Sequence, residues 1–322
     1  MAKSNPQDSR KTSRYLFCCF FLLLCQLVGV QTATADQGIV DSTGRTLTFK
    51  KPFTRIISLY SAHTENLCSL GADDLLVGIS TSDDYPPSIV GKPQLSYRED
   101  PEKFIALHPD LVLVRPMIER SYPQFIDKMQ QAGITVISLQ PNTVNEMFSY
   151  WTNLGTLTGH ELQAKQMVAA FTARLKVVQD RVQEVPLTQR PKVYFQSIHK
   201  KMKTFAPESI GVFVLEQAGG VNIAAGALQV RNTNIGIFGK EQLLSHGPEI
   251  DVFLAQQGRM NPVDRETIID EPGFNAIKAV RENKVYLIDE ALVSRPTLRI
   301  LEGIEQLHAL LYPAKTSTKK DQ

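Results

Sequence analysis

Cysteine is scarce in this chain, and its placement excludes several kinds of protein. Only four cysteines occur in 322 residues, and Cys18, Cys19 and Cys25 lie together in an apolar N-terminal stretch. Without that stretch Cys68 stands alone, so no intrachain disulfide forms. Cys68 falls in an apolar helical pattern, and we interpret it as a small core residue rather than a nucleophile. An iron–sulfur enzyme, which needs several thiolate ligands, is disfavoured.

The chain also lacks the short motifs of common enzymes. It contains no glycine-rich dinucleotide fingerprint, no phosphate-binding loop and no Gly-x-Ser-x-Gly elbow. Its six histidines are scattered, and no His-x-x-x-His or Cys-x-x-Cys spacing occurs, which makes a direct metal-ion site the weaker interpretation. We therefore expect neither catalysis nor a resident cofactor or metal. A two-lobed cofactor enzyme, a direct binder of metal ions or oxyanions, and a surface scaffold without a pocket stay open as alternatives.

The first 35 residues have the pattern of a secretory signal peptide. Four basic residues precede an apolar run over residues 15–30, and Ala33-Thr34-Ala35 offers a cleavage site before Asp36. The run is shorter than the roughly 20 residues that a membrane-spanning helix needs. We expect export with removal of residues 1–35. A lipid anchor at Cys25 is the alternative, although Leu24 before it is larger than such sites usually accept.

The chain has no excess of charge of either sign. Removing residues 1–35 takes four of the 35 basic residues and one of the 33 acidic ones, which leaves a net charge of −1. A nucleic-acid-binding protein carries a basic field over its surface. We therefore expect no nucleic-acid partner.

One sequence pattern is present twice. Residues 102–113, from Glu102 through Pro109, recur in degraded form at residues 241–252, from Glu241 through Pro248. In both copies Glu stands seven residues before Pro, and a short helical pattern, a proline turn with an acid and an apolar strand follow one another. A repeat spaced by 139 residues predicts two similar lobes rather than a solenoid. The gap between two lobes is a common place for a small-molecule site.

Apolar runs alternate with helical patterns along both halves, which predicts an α/β fold of two Rossmann-like lobes with mostly parallel sheets. From Glu161 to about Glu184, apolar residues recur at spacings of four and three, which indicates one long helix about 36 Å in length. We expect this helix to join the lobes as a strut. The predicted boundaries are a signal peptide over 1–35, an N-terminal lobe over 36–150, the strut over 151–186, a C-terminal lobe over 187–314 and a polar tail over 315–322.

At this level of detail the chain resembles the periplasmic substrate-binding proteins of ABC importers for iron chelates, haem and corrinoids. The resemblance covers nearly all of the chain after the signal peptide. Its marks, each weak alone but specific in their order, are Arg55-Ile-Ile-Ser-Leu59, Glu65-Asn-Leu, Leu70-Gly-Ala, Asp84-Tyr-Pro86, the two repeat copies, Ala218-Gly-Gly-Val-Asn222 and Lys284-Val-Tyr. It implies two lobes joined by a backbone helix, a shallow cleft that holds a metal chelate, and delivery to an inner-membrane permease by a monomer.

The resemblance also implies a role for the repeated glutamates. In this family one surface glutamate of each lobe docks onto arginines of the permease, and Glu102 and Glu241 fall at the matching positions. A glutamate in the first turn of a helix also complements the helix dipole, by about 0.3–1 kcal/mol. That explanation accounts for one glutamate better than for two at matching places.

Ligands of open α/β sheets bind beyond the carboxyl ends of the strands, and this rule selects candidate contacts. Arginine presents a planar fork to oxygen anions, and tyrosine combines an apolar ring with a hydroxyl, so both suit an anionic chelate such as a ferric siderophore, haem or a corrinoid. Histidine is included for an axial contact to haem iron. The predicted ligand-binding residues are Tyr60, His63, Tyr85, Arg115, His199, Arg231, Arg259 and Arg295.

Overall fold

The computed structural model describes residues 37–231 and 233–313. The predicted signal peptide and the polar tail lie outside these residues. The strands, numbered β1 to β14, are Gln37–Val40, Thr46–Phe49, Ile56–Ser58, Leu76–Ser80, Gln94–Leu95, Leu111–Val114, Thr135–Ser138, Lys192–Ile198, Lys203–Phe205, Val221–Asn222, Leu228–Gln229, Ile235–Ile237, Val252–Gln257 and Val285–Asp289.

Twelve α-helices lie within the described residues. Numbered α1 to α12, they are Ser61–Ser69, Glu102–Ile105, Pro116–Ser121, Pro123–Gln131, Val144–Thr158, Glu161–Gln183, Ile210–Gln217, Lys240–Ser245, Arg265–Ile269, Lys278–Arg281, Glu290–Val293 and Ile300–Leu311. Single turns of 3-10 helix occur at Asp73–Leu75, Pro87–Ile89, Leu187–Gln189, His199–Lys201, Gly247–Glu249 and Phe274–Ala276. None of the helices in this part of the chain is both long and apolar enough to cross a bilayer.

The first lobe is built on a five-stranded sheet in the order β5-β4-β3-β6-β7, and all of its strand pairs are parallel. The chain runs from β3 outward through β4 to β5 and then returns to the other side of β3 for β6 and β7. The strand order therefore reverses between β3 and β6. A crevice opens at such a reversal because the connections leave in opposite directions.

The second lobe carries a seven-stranded sheet whose centre is parallel and whose edge is not. Strand β13 pairs in parallel with β8 and β14, and β10 pairs in parallel with β8. Strands β9, β12 and β11 add an antiparallel edge. The mostly parallel α/β fold with two lobes is confirmed. The antiparallel edge was not predicted, because its strands have only two or three residues and carry no clear alternation.

The sequence repeat has a structural counterpart, although its register differs between the lobes. The backbone N–H of Asp110 donates to the carbonyl of Arg55 at 2.9 Å, and the N–H of Asp251 donates to the carbonyl of Lys192 at 2.9 Å. Each aspartate also accepts backbone N–H groups from the start of the neighbouring strand, at 2.8 and 2.9 Å in the first lobe and 2.9 Å in the second. Asp110 directly follows its proline, whereas Asp251 follows Pro248 by three residues across a 3-10 turn. Both lobes thus have the same order of helix, turn and strand, although the two aspartates occupy different positions in the aligned sequence repeat.

Helix α6 begins and ends close to where the apolar spacing predicted, at Glu161–Gln183. Its buried face includes Phe171, which packs edge-on against the ring of Trp151 at 5.3 Å between centroids. Trp151 belongs to α5, and α6 also packs on α7 and α12 of the second lobe. One continuous apolar cluster therefore runs from the first lobe through α6 into the second. This shared core makes α6 a rigid connection between the lobes.

Candidate ligand-binding cleft

A cleft of about 580 Å³ opens between the lobes at the carboxyl ends of the strands. This size is within the range of small-molecule sites, roughly 300–1,000 Å³. The first lobe contributes residues that follow β3, β4, β5, β6 and β7, and the second contributes residues around β9, β12, β13 and α11. The lining side chains that carry charge or a ring are Tyr60, Tyr97, Arg98, Arg115, Arg120, Phe205, Arg259, Glu290 and Arg295.

Tyr60 and Arg115 meet at the reversal of strand order in the first lobe. Tyr60 comes two residues after β3 and Arg115 comes directly after β6, so the two parallel strands deliver them side by side. The guanidinium carbon of Arg115 lies 4.7 Å from the centroid of the Tyr60 ring. A cation over an aromatic face is attracted by the ring quadrupole. Burial raises the pKa of the Tyr60 hydroxyl, so this ring is neutral at ordinary pH.

His63 packs against the ring of Tyr60 and does not line the cleft. The histidine is fully buried, and its ring stands edge-on to the Tyr60 ring at 5.2 Å between centroids. Its Nδ1 lies 2.7 Å from the Tyr150 hydroxyl, and its Nε2 lies 3.1 Å from the Val114 carbonyl. Burial lowers the pKa of His63 to about 3. Both nitrogens are therefore occupied by protein groups, and the ring is neutral.

Two further arginines, which the sequence analysis did not select, line the first-lobe wall. Arg98 follows β5, and its Nε donates to the hydroxyl of Tyr122 at 3.1 Å. Tyr122 packs on Tyr97, with 4.7 Å between ring centroids. Arg120 lies on α3, which begins just after Arg115. The strand-end rule did point to this edge, but β5 has only two residues and was missed as a strand, which removed Arg98 from the candidates.

The second-lobe wall is less basic, because it contributes two arginines and one acid, whereas the first lobe contributes three arginines. Arg259 is exposed at the turn after β13. Beside it, the backbone N–H of Met260 donates to Glu290 at 2.9 Å. Buried Gln256 donates to the Ser197 carbonyl at 2.9 Å and so holds the ends of two adjacent strands together.

Arg295 lines the cleft but is already bound to acidic groups of the first lobe. Its Nη1 lies 2.9 Å from Glu65 and 3.4 Å from Asp84. The other four arginines of the cleft, namely Arg98, Arg115, Arg120 and Arg259, form no ion pair with any residue in 37–231 or 233–313. Among the residues that the structure describes, Glu290 is the only acid in the cleft lining. The cleft thus carries a surplus of positive charge.

Of the eight predicted contacts, four line the cleft: Tyr60, Arg115, Arg259 and Arg295. The other four do not, for separate physical reasons. His63 is enclosed by protein groups. His199 is also buried: its Nε2 lies 3.5 Å from a carboxylate oxygen of Glu271, and its Nδ1 lies 3.0 Å from the side-chain oxygen of Gln196. Tyr85 lies outside the cleft wall with Arg299 over its ring at 4.5 Å. Arg231 is exposed in the turn between β11 and β12.

The two repeated glutamates are both exposed in the first turn of a short helix. Glu102 is the first residue of α2, and Glu241 is the second residue of α8. Next to Glu241, Lys240 forms an ion pair with Glu271, which ties the start of α8 to the body of the second lobe.

Cys68 and the metal-ligating residue types form no reactive cluster in the described ranges. Cys68 is half-buried against the first-lobe core, and burial raises the pKa of its thiol to about 11. Among residues 37–231 and 233–313, no three His, Cys, Asp or Glu side chains converge on a point where a metal ion would fit.

Comparison with known proteins identifies relatives of the whole fold. A family model described as periplasmic binding protein matches residues 56–292. An uncharacterized ABC transporter substrate-binding lipoprotein of Bacillus subtilis is 27% identical, with 85% of each chain covered. The vitamin B12-binding protein of Vibrio cholerae is also 27% identical and is covered over 89% of its length by 80% of this chain.

A solved structure agrees with this relationship. The crystal structure of a possible iron-binding, periplasmic solute-binding protein from Staphylococcus epidermidis superimposes with a TM-score of 0.70 at 25% identity. The match covers 81% of this chain and all of that one.

Proposed function

Because the chain belongs to the periplasmic binding protein family, it is a solute-binding component of an ABC importer, and we propose that its solute is an anionic metal chelate held between the lobes. The observation that carries the proposal is the charge of the cleft. Four arginines without an acidic partner among the described residues face a space whose lining holds one acid, Glu290. Guanidinium groups bind carboxylate and catecholate oxygens through paired hydrogen bonds. A ferric siderophore with such oxygens satisfies this wall.

Haem and corrinoids fit the cleft less well. Haem iron is commonly held by an axial His, Cys, Met or Tyr. In the described part of the chain no histidine lines the cleft, and Tyr60 is neutral and covered by Arg115, so an axial ligand would have to come from Tyr97, Met117 or Met260, which also line it. A corrinoid has no strong negative charge to match the arginines. The relative named for vitamin B12 nevertheless makes cobalamin the necessary competitor in any binding test.

The site holds its solute without transforming it. Within the described ranges, no side chain of the cleft lining combines a nucleophile with a neighbouring base, since His63 and His199 lie outside the lining. We infer that release rather than chemistry ends the cycle, and that the protein acts as a monomer.

Delivery to the permease is proposed to use Glu102 and Glu241. Both carboxylates are exposed, one in each lobe, and neither is in an ion pair within residues 37–231 and 233–313. Unpaired carboxylates on rigid helices suit arginines of a partner. For location, we propose export by a cleavable signal over residues 1–35. A lipid anchor at Cys25 is the competing form, since the Bacillus subtilis relative is named as a lipoprotein.

The proposal is tested by titrating the protein with a panel of solutes: a ferric tris-catecholate, an uncharged ferric hydroxamate, haemin and cyanocobalamin. The readout is fluorescence of Trp151, which donates to the Pro296 carbonyl beside Arg295. We expect the ferric catecholate to bind most tightly and to lose about tenfold in affinity when salt is raised from about 0.05 M to about 0.5 M.

A matched pair of variants supplies the control. Arg259→Ala should weaken binding of the catecholate, whereas Arg174→Ala, on the exposed face of α6, should not. Equal or tighter binding of an uncharged solute, unaffected by salt, would overturn the assignment of an anionic ligand.

A further inference from the structure

Residues 295–299 of the second lobe lie against the first lobe at one end of the cleft. Glu65, on α1, is almost completely buried, with 2% of its side chain exposed. The Nη1 atom of Arg295 lies 2.9 Å from its Oε1, and the Nη1 atom of Arg299 lies 3.8 Å from the same oxygen. One buried carboxylate of the first lobe therefore faces two guanidinium groups of the second.

The backbone of the same segment is bound to the first lobe as well. The Pro296 carbonyl accepts two hydrogen bonds, from Asn66 Nδ2 at 2.9 Å and from Trp151 Nε1 at 3.0 Å. Asn66 neighbours Glu65 on α1, and Trp151 belongs to α5. All of these groups are buried, so water does not compete for the bonds. Arg299 adds a cation–π contact with Tyr85 at 4.5 Å.

Within the second lobe, residues 295–299 are held in place by the two helices that flank them. This segment lies between α11 and α12, which pack so closely that a Cβ on Gly303 would be 2.1 Å from the Leu292 carbonyl oxygen. A short connection between two tightly packed helices does not adjust freely. A change in its contacts with the first lobe is therefore transmitted to the second lobe as a whole.

We propose that Glu65, Arg295 and Arg299 form an inter-lobe clamp that sets the width of the cleft, and that Arg295 is a positioning residue rather than a solute-binding cation. Removing one partner of a buried ion pair leaves the other charge buried without compensation, which favours separation of the two surfaces. Separation moves Arg259 away from Arg115, so the two walls no longer contact one solute together. This consequence for affinity rests on the proposed function, whereas the clamp itself does not.

The clamp is tested first without any solute. Spin labels at Asp127→Cys and Asn275→Cys, one on each lobe, are placed in a Cys68→Ser background of the protein from which residues 1–35 have been removed, and the distance between them is measured by pulsed electron resonance. Glu65→Gln keeps the shape of the side chain but removes its charge. In the Glu65→Gln variant we expect a broader distribution of distances between the two labels, with a longer mean distance than in the protein with Glu65. Asp84→Asn is the control: it changes the other acid at Arg295, whose side chain is 73% exposed, and should leave the distribution unchanged.

Affinity is measured next with the ferric tris-catecholate. Glu65→Gln should weaken binding at least tenfold although its side chain does not line the cleft, and the neutral pair Glu65→Gln with Arg295→Gln should recover part of the loss. Should Glu65→Gln fail to fold, Arg299→Gln, which removes one of the two guanidinium groups that face Glu65, provides the same two measurements. An unchanged distance in these variants overturns the clamp, as does a loss of affinity on replacing Arg295 alone while Glu65→Gln binds normally. If the wild-type protein binds no chelate but the distance still responds, the clamp stands and the proposed function fails.

Discussion

The guanidinium group of Arg115 lies over the ring of Tyr60, with 4.7 Å between its central carbon and the ring centroid. The two residues are separated by 55 positions in the chain and are joined because β3 and β6 are parallel neighbours. The contact with the ring holds the guanidinium group at the cleft wall before any solute arrives. A group oriented in advance loses less freedom on binding, which favours affinity.

We expect Arg115→Ala to weaken binding of an anionic chelate about 10- to 100-fold, because a hydrogen bond to a charged group contributes about 1.5–3 kcal/mol. Arg115→Lys should recover only part of the loss, because an ammonium group retains the charge but not the planar fork. Titration of both variants measures the effect. Arg174→Ala is the matched control, and an Arg115→Lys variant that binds as tightly as wild type would refute the importance of the planar guanidinium group.

The exposed glutamates lead to a prediction about transport. Replacing Glu102 and Glu241 together by alanine should abolish uptake in cells while leaving solute affinity within about twofold of wild type, because both lie outside the cleft. Uptake of labelled chelate and titration of the purified protein give the two measurements. Glu184→Ala, an exposed residue after α6, is the control. Normal uptake by the double variant would remove these residues from the docking surface.

His63 predicts how stability changes with pH. Burial lowers its pKa in the folded protein to about 3 from 6.5, so the unfolded chain binds a proton more readily than the folded one between these values. The stabilisation that comes from a neutral His63 is complete above about pH 6.5 and is lost as pH falls toward 3, at about 1.4 kcal/mol per pH unit.

Denaturation of wild type and His63→Gln between pH 7 and pH 4 checks this slope. We expect the wild-type advantage in unfolding free energy to shrink as pH falls. Burial raises the pKa values of Glu65 and Asp83, which acts in the opposite direction, but both groups are common to the two proteins and cancel in the difference. A difference independent of pH would show that His63 is not the group responsible.

Gly303 gives a prediction about packing. An added methyl group would meet the Leu292 carbonyl oxygen, which belongs to the backbone of α11 and cannot rotate away. We expect Gly303→Ala to destabilise the protein by about 1–3 kcal/mol despite the better helix propensity of alanine. Gly226→Ala, where no atom lies within 4 Å, should be nearly neutral. Chemical denaturation of both variants distinguishes the outcomes.

Much of the architecture was predictable because it depends on periodic burial. The spacing from Ala164 to Val182 predicted α6 to within a residue at its end, since a long amphipathic helix repeats the same pattern many times. The short edge strands β5, β11 and β12 have too few residues to establish a pattern. Arg98 was missed for that reason.

The candidate site was predictable only in part. The strand-end rule placed Tyr60 and Arg115 correctly at the cleft wall, but it selects positions along the chain and does not know which way a side chain turns. His63 follows the same strand as Tyr60, yet it lies on the buried side of α1 and bonds to Tyr150. Arg295 does line the cleft, but its partner Glu65 is 230 positions away, and no local pattern indicates that pairing.

The sequence alone determined the class of this protein: two α/β lobes with mostly parallel sheets, a long connecting helix and a resemblance to a family with a transport role. These properties follow from local periodicity and from motifs read in order. The tertiary structure decided which arginines of the cleft form no ion pair within residues 37–231 and 233–313, and that Arg295 is paired with an acid of the other lobe. Whether an arginine is paired depends on the distance to residues far apart from it in the chain. Burial and the pairing of charges, rather than the residue type, therefore determine the role of each arginine.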